Sequence, residues 1–155
     1  MRTVPSPQAF LLLLLATSCT GGNDKSDKDD TGNGDTGEIF DLSQTQTSDG
    51  GTYVVSYLPS LNPIPLSDNF SVTLSVYDAS NPETLITDLD AVDIDATMPA
   101  HNHGMMVVPE LSENDDGTWL AAPMEFVMGG HWEVVVDVTK ETTERASFHV
   151  ICCDG

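Results

Sequence analysis

From Phe70 to Tyr77 the chain alternates without a break. Phe70, Val72, Leu74 and Val76 take one side, and Ser71, Thr73, Ser75 and Tyr77 the other. His131 to Val138 repeats the pattern, with Trp132, Val134, Val136 and Val138 inward and His131, Glu133 and Asp137 outward. Ala146, Phe148 and Val150 alternate in the same way with Arg145, Ser147 and His149. Successive side chains of an extended strand point to opposite faces, so period two over such lengths means half-buried strands. Shorter candidates are Thr52 to Tyr57, Ala91 to Ala96, Met105 to Pro109, Thr118 to Ala121 and Met124 to Val127. Asp49-Gly50-Gly51, Asn81-Pro82, Asp115-Asp116-Gly117 and Gly129-Gly130 are turn signals between them, and no segment carries a helical period. Roughly seven or eight short strands at this spacing predict an all-β fold, an immunoglobulin-like β-sandwich.

The chain ahead of these strands is of another kind. Arg2 is followed by an apolar run from Ala9 to Ala16 that contains five consecutive leucines, and then by the small residues Thr17 and Ser18. That run is too short to cross a bilayer as a helix and reads as a signal peptide over residues 1–18. Cys19 directly after small residues resembles a bacterial lipoprotein signal, although Ala16 stands where leucine is usual. The resemblance implies cleavage before Cys19 and lipid on its thiol and new amino group. The other reading is an ordinary secretory peptide, with Cys19 removed or free. Thr20, rather than an aspartate, follows the cysteine. By analogy with lipoprotein sorting this favours the outer membrane, facing the periplasm or the cell surface.

Residues 19–37 read as a linker. Gly21 to Gly37 holds only Gly, Asn, Asp, Lys, Ser and Thr, and a segment without apolar side chains buries nothing to offset the entropy of ordering, so disorder is expected. Asp27, Asp29, Gly32 and Glu38 fall at calcium-loop spacing. Thr31 and Gly34 break that pattern and no helix flanks it, so a solvated tether is the expectation. Residues 38–155 are then one domain, long enough for a single core.

A formal net charge of −20 excludes nucleic acid as a partner, because Lys140 and Arg145 are the only basic side chains in the folded part and cannot neutralise a phosphate backbone. Anionic lipid is excluded on the same ground, so membrane attachment rests on the lipid anchor. Besides Cys19 the chain has only the adjacent Cys152 and Cys153. In an oxidising compartment such a pair is expected as a disulfide or a peripheral pair rather than as a site.

Taken in order, Ser71 to Asp78, Ala91 to Met98-Pro99, His101-Asn102-His103-Gly104-Met105, Gly117-Thr118-Trp119 and Phe126-Val127-Met128-Gly129-Gly130-His131-Trp132 resemble the YtkA-like domain family. That family shares a Met-Pro … His-Gly turn, a Gly-x-Tyr/Trp strand start and a closing Met-x-Gly-x-Trp strand. The resemblance covers roughly Phe70 to Val138. It implies an extracytoplasmic immunoglobulin-like module without catalytic residues, often a lipoprotein and often near metal-transport or oxidase-assembly functions.

The chemistry concentrates in the same motifs. Met98, His101, His103, Met105 and Met106 fall within nine residues, and Met128 and His131 follow in a second motif. Imidazole and thioether are ligands of copper-like ions, whereas zinc rarely takes thioether. Copper is therefore the implied cofactor, held by His101, His103 and His131 with Met98, Met105, Met106 or Met128, if the two motifs meet at one end of the sandwich. The competing reading makes these residues core filling and turn chemistry in a structural or protein-binding envelope module. No nucleophile elbow, Cys-x-x-Cys or phosphate-cradling loop is present, so no enzyme is expected. Asp93 and Asp95, on one strand face, are the only paired carboxylates with a case, and such pairs are more often a solvated face.

Overall fold

The computed structural model describes residues 44–153. It is all-β, a sandwich of two antiparallel sheets. The strands are β1 (Gln44–Thr47), β2 (Tyr53–Pro59), β3 (Phe70–Asp78), β4 (Asn81–Leu85), β5 (Ala91–Met98), β6 (His103–Gly104), β7 (Glu110–Glu113), β8 (Trp119–Met124), β9 (Gly130–Lys140) and β10 (Thr142–Cys152). One sheet runs β1-β2-β3-β8-β7, with β4 completing the side of β3 that β8 leaves open beyond Leu74↔Trp119. The other runs β10-β9-β5-β6. The expected signal peptide, Cys19 and the expected linker with its calcium-loop spacing lie outside the described residues.

The long alternating segments became the long strands because each buries one complete face. Val72, Leu74 and Val76 of β3 meet Val134, Val136 and Val138 of β9 and Phe148 of β10 in a single buried core. β-branched and aromatic side chains suit such a pleated, one-sided surface. Trp132 is fully buried at one end of this core. It stacks on Phe126 with ring centres 4.5 Å apart, and Phe126 meets Phe70 edge-on at 5.1 Å.

The strand count exceeds the expectation in the weakly patterned regions. Asn81-Pro82 opens β4 instead of ending a turn, which its edge position allows, since proline lacks only a donor that an edge strand does not need. Met105 to Pro109 is not a strand. β6 belongs to one sheet and β7 to the other, so this segment crosses between them and cannot stay on either ladder. β8 runs on to Met124, and Phe126 makes only an isolated bridge to Leu66.

Asp93 and Asp95 have a structural part. β6 pairs only Thr97 and Met98, so the rest of the outer edge of β5 carries no strand among the described residues. The Asp93 carboxylate accepts the Ile94 N–H at 2.9 Å, and that of Asp95 accepts the Ala96 N–H at 2.8 Å. Charged side chains that occupy edge donors oppose pairing with another chain.

Candidate metal centre

The Met-Pro-Ala-His-Asn-His segment closes as a tight hairpin. His101 and Asn102 both donate their N–H to the Met98 carbonyl, at 3.0 and 2.9 Å, and Asn102 takes φ 52°. Asparagine is one of the few residues that enters the left-handed region readily. The turn delivers His103 directly opposite Met98 in the β5–β6 register. Paired residues of an antiparallel ladder share a face, so His103 turns inward beside the buried Met98, while His101 stays exposed at the tip. The loop is thus not extended, and the two imidazoles differ in environment. Their ring centres are 6.1 Å apart, close enough for one ion to be held between them at metal–nitrogen bonds of about 2.0 Å.

His103 is the informative member. Its Nδ1 lies 3.1 Å from the Gly104 carbonyl oxygen. A carbonyl only accepts, so Nδ1 carries the proton and Nε2 is left with a bare lone pair. That Nε2 is buried without a hydrogen-bond partner. The ring meets Trp132 edge-on at 5.5 Å, and the Trp132 Nε1–H is already donated to the Met128 carbonyl at 2.9 Å. A cleft of about 350 Å³ opens beside it, lined by Thr97, Met98, Pro99, Asn102, His103, Gly104 and Glu133. Asn102 and Glu133 add an amide and a carboxylate that the sequence motifs did not single out as ligands. Glu133 reaches the cleft through its pairing with Thr97 across β5 and β9, and Asn102 through the turn itself.

Gly130 explains the second motif. Its φ of 127° is one that side chains rarely adopt, and a Cβ there would stand 2.8 Å from the Met98 methyl. The glycine makes room for Met98, and β9 starts from it.

The methionines separate by burial. Met98 and Met124 are core, and Met105 packs partly against the core. Met106 is 79% exposed and Met128 40%. Met124 and Phe126, two residues apart, both lie in the core. Met128, two residues further, is exposed where the chain turns into Gly129-Gly130, and its carbonyl accepts the Trp132 Nε1–H.

His131 stands elsewhere. It faces outward from β9 while Trp132 faces in, and its Nε2 lies 2.9 Å from His149 Nδ1 on β10. The four histidines therefore form two pairs, His101 with His103 and His131 with His149. The alternation of β10 placed His149 outward, but only the β9–β10 register reveals it as the neighbour of His131. Cys152 and Cys153 form a disulfide just beyond this pair. Among the described residues no three His, Cys, Asp or Glu side chains converge in a metal-like group. Met98 and Met105 as thioether donors fall outside that set.

Both basic side chains of the described residues are spent on ion pairs. Lys140 meets Asp88 at 2.7 Å, and Arg145 grips Asp137 directly across the β9–β10 ladder with two bonds of 2.7 Å. The Arg145 guanidinium holds the Asp137 carboxyl below its ordinary range, and Lys140 does the same for Asp88. The outer face of the β10-β9-β5 sheet is left acidic, with Asp93, Asp95, Glu133 and Asp137 around Arg145.

Comparison of the chain with protein-family models, with curated proteins and with solved structures finds no match.

Proposed function

We propose that this protein is a non-enzymatic, lipid-anchored envelope module of the YtkA-like kind that binds copper at its His/Met end and passes it on. The observation that carries this reading is His103 Nε2: a lone pair with its tautomer fixed by Gly104, buried, unpartnered and beside Met98. Buried polar atoms in native proteins almost always have a partner, and an orphan calls for an explanation such as a bound ion. Imidazole with thioether suits Cu(I). In this proposal His103 and Met98 are the inner donors, and His101 and Met105 complete the set from the loop, while Met106 and Met128 are exposed. His131 belongs to a different face and is not part of this centre.

A loop site with few ligands suits transfer rather than retention. Among the exposed large hydrophobics, Met106 and Val108 follow β6, Met128 precedes Gly130 at the start of β9, and Ile151 pairs with His131. Exposed apolar side chains gathered in one region favour contact with a partner. The second reading, an envelope-protein binding module without metal, rests on that same clustering.

Competition against a chromophoric Cu(I) chelator separates the two. The wild-type chain should withdraw Cu(I) from the chelator and His103→Leu should not. Equal competition by both, or none by either, favours the second reading. Anchoring through Cys19 to the outer membrane is part of the proposal. Metabolic labelling with a fatty acid should mark the wild type and miss Cys19→Ser.

A further inference from the structure

The His131–His149 pair lies outside the proposed copper centre, and we infer that it is a second, independent metal site, selective for a divalent ion with right-angle nitrogen ligation such as Cu(II). The two imidazoles project from adjacent strands on the outer face of the sheet, both exposed. Their nearest nitrogens, His131 Nε2 and His149 Nδ1, are 2.9 Å apart, and the rings are stacked at 5.0 Å with a 30° tilt. At metal–nitrogen bonds of about 2.0 Å, two nitrogens at a right angle stand about 2.9 Å apart, whereas a tetrahedral zinc edge is longer, roughly 3.3 Å. Square or tetragonal N,O coordination is the preference of Cu(II) and Ni(II).

A carboxylate stands in register beside the pair. Glu133 is the direct cross-strand partner of His149 and shares its face. No third His, Cys, Asp or Glu side chain converges with the two rings among the described residues, so Glu133 contributes negative charge near the pair rather than a bond to the ion. The scaffold is stiff, since both histidines sit inside the long β9–β10 ladder. The surrounding charge attracts cations.

The bond between the rings shows what the metal would replace. One nitrogen donates and the other accepts, so a single proton lies between two neutral rings. Moving that proton to the far nitrogen of its own ring frees both facing nitrogens as donors. The metal enters with no proton released.

This site differs from the His103 centre in face, ligands and oxidation state, so the two stand or fall separately. The test is titration of the purified full chain with a copper(II) salt, without reductant, read by electron paramagnetic resonance. The wild type should bind one Cu(II) whose hyperfine pattern reports two imidazole nitrogens. His149→Ala and His131→Ala should lose that pattern, Glu133→Gln should weaken binding, and His103→Leu should leave the spectrum unchanged. All four changes fall outside the buried core, and circular dichroism confirms that each variant is folded. His149→Gln repeats the measurement should His149→Ala lose structure. The inference is overturned if His149→Ala and His149→Gln keep the wild-type spectrum, if His103→Leu abolishes it, or if the wild type holds Cu(II) only through oxygen.

Discussion

At one end of the sandwich the Glu144 carboxylate accepts hydrogen bonds from the Ser48 hydroxyl at 2.6 Å, from the Thr52 N–H at 3.1 Å and from the Thr52 hydroxyl. Ser48 in turn accepts the Tyr53 N–H, and Asp49 and Arg145 exchange two further bonds. At the other end the loop from Met98 to His103 leaves the His103 Nε2 lone pair buried and unanswered, and Met106, Val108 and Met128 lie exposed. The same strands run through both ends, so the difference is not one of fold. The first end closes its polar groups on one another and holds the sheets together. The second keeps a donor atom and an apolar rim in reserve, which is the arrangement expected where a ligand or partner supplies the missing contacts.

The largest test of this contrast is Met98→Ala. Met98 is buried against Gly130 and opposite His103, so its loss should cost about 2–5 kcal/mol in urea unfolding and also weaken Cu(I) retention. Met128→Ala, 40% exposed, should stay within about 0.5 kcal/mol of wild type. Similar losses for both would mean that the loop end is packed evenly and holds nothing in reserve.

Ser48→Ala probes the closed end. The hydroxyl is buried and serves both Tyr53 and Glu144, so leaving those groups without it should cost about 1–3 kcal/mol, with Cu(I) competition unchanged. A change in metal binding would show that the two ends are coupled.

Tyr57→Phe addresses the other orphan. Tyr57 OH is buried without a partner in the core, against Phe148 at 5.4 Å, and burial pushes its pKa up. Removing the hydroxyl should raise stability by about 1 kcal/mol. A loss instead would mean that the hydroxyl has a partner, such as a buried water, and that His103 is less exceptional than it looks.

The smallest effect concerns pH. The hydrogen bonds from Ser48 and Thr52 hold the Glu144 carboxyl below its ordinary range. A depressed folded-state pKa contributes stability that is present above the unfolded value, about 4.3, and that is lost as pH falls through the lower folded value. Glu144→Gln should therefore flatten the acid limb of the stability curve below about pH 4.5 and leave it unchanged at neutral pH apart from a constant offset. An unchanged acid limb would locate the acid sensitivity elsewhere, at Asp137 or Asp88.

The sequence by itself determined the fold class. Alternation in Phe70–Tyr77, His131–Val138 and Ala146–Val150 sorted inward from outward residues correctly, because a side-chain period of two is a local property of an extended backbone. It also concentrated the chemistry, placing two histidines and three methionines around one Pro/Gly turn. It did not determine which donors meet. The inward turn of His103 depends on the left-handed Asn102 and on pairing with Met98, and the partnership of His131 with His149 depends on the β9–β10 register. Glu133 reaches the cleft only because β9 lies beside β5. The edge strand β4 and the crossover from β6 to β7 were hidden for the same reason. Pairing between distant strands is fixed by how the whole core packs, and a change of register by one residue would turn every one of these side chains to the other face.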